Sequence, residues 1–210
     1  MTTLFMQYKR EELVKLSWDD FDRYALKIKN EVEDYLNKKD TKIDVVVPIL
    51  RGGGILALRL AFDFRVIRIL PYQYKYLQNT NPQKIYDSNF SQLQKFKNKN
   101  PVVLVVEGNH STGKIASTVI NDIKKQLPNS KIIYVSLAKD YFYKDSVKDV
   151  IFTTCGYYTN ENRKIDKKTC EKIGVNFDSV YIFPWESYEE ELAMLNHESF
   201  EYANQKDFSN

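Results

Sequence analysis

An α/β fold, a parallel β-sheet flanked by helices, is predicted by two observations. Short β-branched apolar runs alternate along the chain with segments of helical period. Two of those runs, Ile43–Ile49 and Val102–Val106, pass directly into glycine-containing loops that open helices. Such alternation builds parallel sheets with right-handed crossovers and puts ligand sites at the carboxyl ends of the strands. Both glycine loops lie at such ends, so one cleft is expected to hold them. A small C-terminal hood should cover it. At 210 residues, a single domain spanning 1–210 is expected.

The elements follow in order. A helix is predicted from Trp18 to Leu36, with Ser17 as N-cap and Asp19 and Asp20 in its first turn. Phe21, Ala25, Ile28, Val32 and Tyr35 form its apolar face. Ile43–Ile49 is a strand buried on both faces, bounded by Asp40 and by Arg51-Gly52-Gly53-Gly54. A helix over Ile55–Phe62 and a strand over Val66–Leu70 come next. From Tyr72 to Asn100 the chain is rich in Gln, Asn, Lys and Tyr and shows no sustained period. A loop of that length in a compact domain points to function, and residues 72–100 are read as a mobile lid. The strand Val102–Val106, the helix Ile115–Leu127 and the strands Ile132–Leu137, Val150–Thr154 and Val180–Phe183 complete the pattern. Thr159–Lys172 reads as a polar stretch, and Ser187–Tyr202 as an acidic helical tail.

Composition excludes several classes. A net charge of +3, spread along the chain, does not describe a dedicated nucleic-acid binder. Two cysteines, Cys155 and Cys170, are too few for a disulfide framework. His110 and His197, the two histidines, are too far apart in sequence to suggest structural zinc. No apolar run has the length of a membrane span or of a signal-peptide core. The expectation is a soluble cytoplasmic protein with no membrane or nucleic-acid partner.

The most informative stretch runs from Pro101 to Lys114. Apolar strand residues end in Glu107, the loop Gly108-Asn109-His110-Ser111-Thr112-Gly113 follows, and a helix begins. Strand, tight loop and helix N-terminus form a phosphate site, because unpaired N–H groups and the helix dipole converge there. Gly108 and Gly113-Lys114 also fit G-x-x-x-x-G-K. However, Ile115 stands where a nucleotidase loop needs a magnesium-binding Ser or Thr.

Four segments together resemble the type I phosphoribosyltransferases. They are Arg51-Gly52-Gly53 after a strand, the acid-x-x-x-Ser-Thr-Gly-Lys loop from Glu107 to Lys114, Ser136-Leu137-Ala138-Lys139, and Tyr181-Ile182-Phe183-Pro184-Trp185-Glu186. They occur in the family's order, and the last two resemble the purine (hypoxanthine, guanine and xanthine) enzymes. The resemblance implies transfer of a phosphoribosyl group from phosphoribosyl pyrophosphate to a purine base, giving a nucleoside monophosphate and pyrophosphate. It implies Mg2+ as cofactor and a homo-oligomer, a dimer. Carried onto this chain, Ser111, Thr112, Gly113 and Lys114 take the 5′-phosphate, and Arg51, Gly52 and Gly53 the pyrophosphate. Glu107 takes the ribose diol, Lys139, Tyr181 and Ile182 the base, and Glu186 lies near the metal. Lys139 also reads as a lysine at a strand end, and Tyr181 and Trp185 as core residues. His110 reads as an exposed loop histidine or as the nearby proton carrier that titrates near neutrality.

The departures bear on catalysis. The family's loop has a second acid where this chain has Gly108, and a proton-exchanging Asp where it has Ser111. Serine does not serve alone as a general acid or base near neutral pH, so the PRPP-binding motif is degenerate. Three functions stay open: a diverged purine phosphoribosyltransferase, an impaired relative that binds a nucleotide or sugar phosphate as a regulator, and an enzyme with another reaction on a phosphorylated ribose.

Overall fold

A computed structural model describes residues 8–76, 82–87, 96, 99–177 and 180–196. In chain order the elements are β1 (Leu13–Lys15), α1 (Trp18–Lys38), β2 (Val45–Leu50), α2 (Gly54–Asp63), β3 (Tyr72–Tyr76), β4 (Pro82–Asp87) and β5 (Val102–His110). They continue with α3 (Lys114–Gln126), β6 (Lys131–Asp140), β7 (Phe152–Thr159), α4 (Lys167–Ile173), β8 (Val180–Ile182) and α5 (Tyr188–Leu195). The central sheet has the order β4-β3-β2-β5-β6-β7. The five strands β3, β2, β5, β6 and β7 run parallel, and β4 is an antiparallel edge.

The helices cover both faces. Ser17 caps α1 reciprocally with Asp20, and Phe21, Ala25, Ile28, Val32 and Leu36 bury the face that packs on the sheet. Tyr35 is only partly buried and stacks on Phe152 of β7 at 4.6 Å between ring centroids. The helices α1 and α2 share one core with Val102, Leu104 and Val106 of β5 and with Ile133 and Val135 of β6. On the opposite face α3 buries Ala116, Val119, Ile120 and Ile123 against Val103, Val105 and Tyr134. Strands buried on both faces explain the unbroken apolar runs of β5 and β6.

The hood is smaller and draws on both chain ends. β8 pairs in parallel with β1, with Leu13 opposite Val180 and Lys15 opposite Ile182. Trp185 packs among Trp18, Phe21 and Phe183, with ring centroids 5.0–5.9 Å away. Among the described residues no helix is long and apolar enough to cross a membrane.

Three local expectations are corrected. Val66–Leu70 is not a strand and contributes only a bridge from Ile69 to Val46. The next strand is Tyr72–Tyr76, inside the stretch read as loop, with Tyr72 and Tyr74 buried against the α3 side. Thr159–Lys172 contains the start of α4, capped by Asp166 through Thr169 N–H and ended by Gly174 at φ +69°. Of the lid reading over 72–100, residues 77–81, 88–95 and 97–98 lie outside the described residues. So does the end of the helical tail beyond Asn196.

Candidate functional site

The two glycine loops meet at the carboxyl ends of the adjacent strands β2 and β5. After β2 the chain turns sharply, with Gly53 N–H donating to Ile49 O and Gly54 N–H to Arg51 O, both at 2.9 Å. The Leu50–Arg51 peptide bond is cis. A Cβ on Gly53 would collide with the Val106 carbonyl and lie 2.8 Å from Ile49 O. A Cβ on Gly108 would lie 2.6 Å from the Gly52 carbonyl carbon and 2.8 Å from Phe183 Cε2. Glycine at 108 is therefore what lets the two loops and the hood close on one another. Gly108→Asp, which would restore the resembled family's second acid, is expected to destabilise the fold by roughly 1–3 kcal/mol instead. Urea denaturation checks this, and an unchanged midpoint would mean that the loops part freely.

The second loop ends in Gly113, at φ +77°, which begins α3 without any side-chain cap. The first-turn N–H groups of α3 thus point out of the helix end, where the dipole favours an anion. Lys114 is exposed, and no acid stands among Ser111, Thr112, Gly113 and Lys114. The Ser111 hydroxyl accepts from Asn162 Nδ2 at 3.0 Å.

Beneath this loop lies a buried polar chain. Glu107 shares a sheet face with Tyr134, whose neighbour in register is Val105, and its carboxyl is hydrogen-bonded to the Tyr134 hydroxyl. That hydroxyl is 2.8 Å from His110 Nδ1. His110 Nε2 lies 3.0 Å from Tyr143 O and 3.1 Å from Ser146 Oγ. Glu107 is 7% exposed and His110 is fully buried. Burial pushes the Glu107 carboxyl up to about 7, against the pull of the Tyr134 hydrogen bond and of Lys139. Burial pushes His110 down to about 4, so it stays neutral near pH 7 and Glu107 is the group that titrates there.

The remaining sequence-derived residues line the surroundings. Lys139 is buried and donates to Thr153 Oγ1 at 2.9 Å, with its ammonium 5.3 Å from the Tyr134 ring centroid. Burial lowers its pKa. Tyr181 is half-buried and meets Tyr157 edge-on at 5.4 Å, whereas Ile182 points into the core at 1% exposure. Arg51 forms an ion pair with Glu190 of α5. Glu186 accepts the Phe183 N–H at 2.8 Å through one carboxylate oxygen. Burial raises its pKa, and Arg51 pulls it down. Among the described residues no three His, Cys, Asp or Glu side chains gather as a metal cluster. A single carboxylate still suits magnesium when substrate phosphates supply the other ligands.

Sequence reasoning missed one contributor, the loop after β7. Asn109 Nδ2 donates to Glu161 Oε2 at 2.6 Å, and Asn162 Nδ2 bonds both Ser111 and the buried Asp140. The signal was a polar run, Asn160-Glu161-Asn162-Arg163, at the carboxyl end of a parallel strand. Ending that strand at Thr154 rather than Thr159 hid it.

Solved structures share this architecture. The fold is that of the type I phosphoribosyltransferases. A purine phosphoribosyltransferase from Pyrococcus horikoshii superposes with a TM-score of 0.59 at 22% identity, over 84% of this chain and 95% of that one. The xanthine-guanine-hypoxanthine phosphoribosyltransferase of Helicobacter pylori gives 0.56 at 14% identity, over 87% and 97%. A hypothetical protein from Neisseria gonorrhoeae with bound ppGpp gives 0.60 at 14% identity, over 89% and 96%. No protein-family model and no curated protein matches the sequence. Within the phosphoribosyltransferase fold, the Gly108–Gly113 loop and the Arg51–Gly53 turn occupy the carboxyl edge of the sheet, as the strand pattern predicts.

Proposed function

We propose that the chain is a diverged purine phosphoribosyltransferase that joins a purine base to phosphoribosyl pyrophosphate. The observation that carries this reading is the uncapped start of α3, with its Gly113-turned loop packed against the Arg51–Gly53 turn. One anion site beside a second glycine turn suits a ligand with phosphate at both ends of a ribose. The 5′-phosphate would sit on the N–H groups of Ser111 to Lys114, and the pyrophosphate against Arg51, Gly52 and Gly53. Glu186 would hold Mg2+ together with the pyrophosphate. When bound, the ion neutralises charge on that leaving group. Tyr181 and Lys139 would bound the base. Glu107 reaches a ribose hydroxyl only by exchanging its bond to Tyr134. The names of the P. horikoshii and H. pylori proteins support purine as the base.

A second reading, a nucleotide-binding regulator without turnover, is favoured by the glycine packed at the second-acid position and by the ppGpp bound to the N. gonorrhoeae protein. One experiment separates the two. Binding of phosphoribosyl pyrophosphate, GMP and IMP is measured by thermal shift, then turnover with hypoxanthine, guanine and xanthine in excess magnesium. Binding with turnover is the expected result. Binding alone selects the regulator, and no binding of any of the three sinks both.

A further inference from the structure

The loop after β7 holds a carboxylate at the place where the 107–114 motif has lost one. Ser111 occupies the chain position of the resembled family's proton-exchanging Asp; Glu161 accepts from the Asn109 amide at 2.6 Å, and the next residue, Asn162, donates to the Ser111 hydroxyl at 3.0 Å. The backbone that presents Glu161 is fixed on several sides. Tyr8 Oη donates to Glu161 O at 2.8 Å, and Asn162 N–H donates to Asp140 Oδ2 at 2.8 Å. Asn160 closes the loop on Ile165 through bonds of 3.1 and 3.2 Å. A side chain held this way keeps its position without ligand, which is what a reacting group requires.

A second observation points into the same space. The Tyr157 hydroxyl is shut from solvent and has no hydrogen-bond partner among the described residues. It lies within electrostatic reach of Glu161, Glu186, Tyr24 and Tyr181. Its ring meets Tyr181, the residue read from the sequence as stacking on the base. An unpaired buried hydroxyl against an aromatic wall is the surrounding a polar heteroaromatic ring would complete.

We propose that Glu161 is the acid–base carboxylate of this site, exchanging a proton with the ring nitrogen of the purine. The inference rests on the phosphoribosyltransferase reading above. In the forward step the base nitrogen forms the bond to C1′ as the bond from C1′ to the pyrophosphate oxygen breaks. The electron pair leaves with pyrophosphate, and the N–H proton of the base passes to Glu161 and then to water. Burial raises the Glu161 pKa towards the range where a carboxylate both takes and releases a proton near neutrality. The ionisable groups around it are Asp140 of β6, Tyr157 of β7, Glu186 beyond β8, Tyr8, and Arg163 of its own loop.

The test uses the full chain with GMP for binding, and hypoxanthine or guanine with phosphoribosyl pyrophosphate for turnover. Glu161→Gln keeps the bond from Asn109 and removes the titrating group. It should hold the GMP dissociation constant within about threefold while kcat falls at least 100-fold, and the pH dependence of kcat should flatten. Adding Ser111→Asp to Glu161→Gln should restore turnover at least tenfold. Unchanged kcat in Glu161→Gln overturns the proposal. Equal loss of GMP binding and kcat also overturns it, since Glu161 would then only anchor the loop. Wild-type binding of GMP without turnover removes the acid–base role and leaves nucleotide binding standing. Wild-type failure to bind GMP or phosphoribosyl pyrophosphate defeats the phosphoribosyltransferase reading itself.

Discussion

Replacing Gly113 with valine is expected to weaken binding of a nucleoside 5′-monophosphate at least 100-fold, read by isothermal titration. Two independent obstructions lead to this. Gly113 sits at φ +77°, where a β-branched residue is strained by roughly 1–3 kcal/mol. A Cβ there would also collide with Ser146 Oγ and lie 2.8 Å from His110 Cε1. The backbone relieves both by leaving the left-handed region, and that rotation turns the N–H groups of the loop away from the anion. The collision costs stability too, roughly 2–3 kcal/mol in urea denaturation, so titrations belong well below the melting temperature. Lys114→Ala gives a companion measurement without touching the loop backbone. Lys114 is exposed, and loss of its charge should weaken binding only about tenfold. Valine at 113 with wild-type affinity would move the phosphate site elsewhere.

What the sequence revealed about this site was local. The β5 run, the glycines and the apolar stripe of α3 each announce themselves within a dozen residues. Their order alone predicts a phosphate loop at the edge of a parallel sheet. What it hid was pairing over distance. β1 is three residues long and is a strand only because β8 lies beside it. Gly108 reads as a missing acid, and only contact with Gly52 and Phe183 shows that the space for a side chain is already filled. His110 reads as an exposed loop residue because its loop is polar. In the fold it is fully buried, bonded to Tyr134, Tyr143 and Ser146.

Other differences had local signals that were outweighed. Tyr72-Gln73-Tyr74-Lys75-Tyr76 alternates aromatic and polar residues with the period of a strand. Its place at the head of a long polar stretch masked that period. In α4, Asp166 followed three residues later by Thr169, with Gly174 at the far end, supplies both helix-boundary signals. The helix between them buries only Cys170, too little apolar surface to register as a period. Glu161 belongs to the same polar stretch, and its one local signal is the place of that polar run directly after β7. Its partner Asn109 comes from another strand.

The buried chain beneath the phosphate loop has a consequence for pH, and Glu107→Gln should expose it. The Glu107 carboxyl titrates at about 7 in the fold against an ordinary 4.5. The folded state therefore holds that proton more tightly than the unfolded chain does. Its contribution to stability is fullest below pH 4.5 and falls by about 1.4 kcal/mol per unit until pH 7. His110 works in the opposite sense, at about 4 in the fold against 6.5. The unfolded chain holds that proton more tightly, so stability rises from pH 4 to 6.5 and is complete above. Between pH 4.5 and 6.5 the two slopes cancel, and the wild type should be nearly flat there with respect to these groups. With Glu107 ionised, the Tyr134 hydroxyl donates to its carboxylate. Once Glu107 takes up a proton the chain can run the other way, with Glu107 donating to the Tyr134 hydroxyl, that hydroxyl donating to His110 Nδ1, and Nε2–H donating to Tyr143 O. Glutamine at 107 keeps this direction, since its amide N–H can replace the acid proton. Glu107→Gln should then gain stability as pH rises from about 4.5 to about 6.5, and at about pH 8 its stability relative to the wild type should be higher by roughly 3 kcal/mol than at about pH 4.5. Urea midpoints at about pH 5, 6.5 and 8 for both proteins measure this. Parallel profiles would mean that Glu107 stays ionised in the fold, with the Tyr134 hydroxyl donating to it throughout.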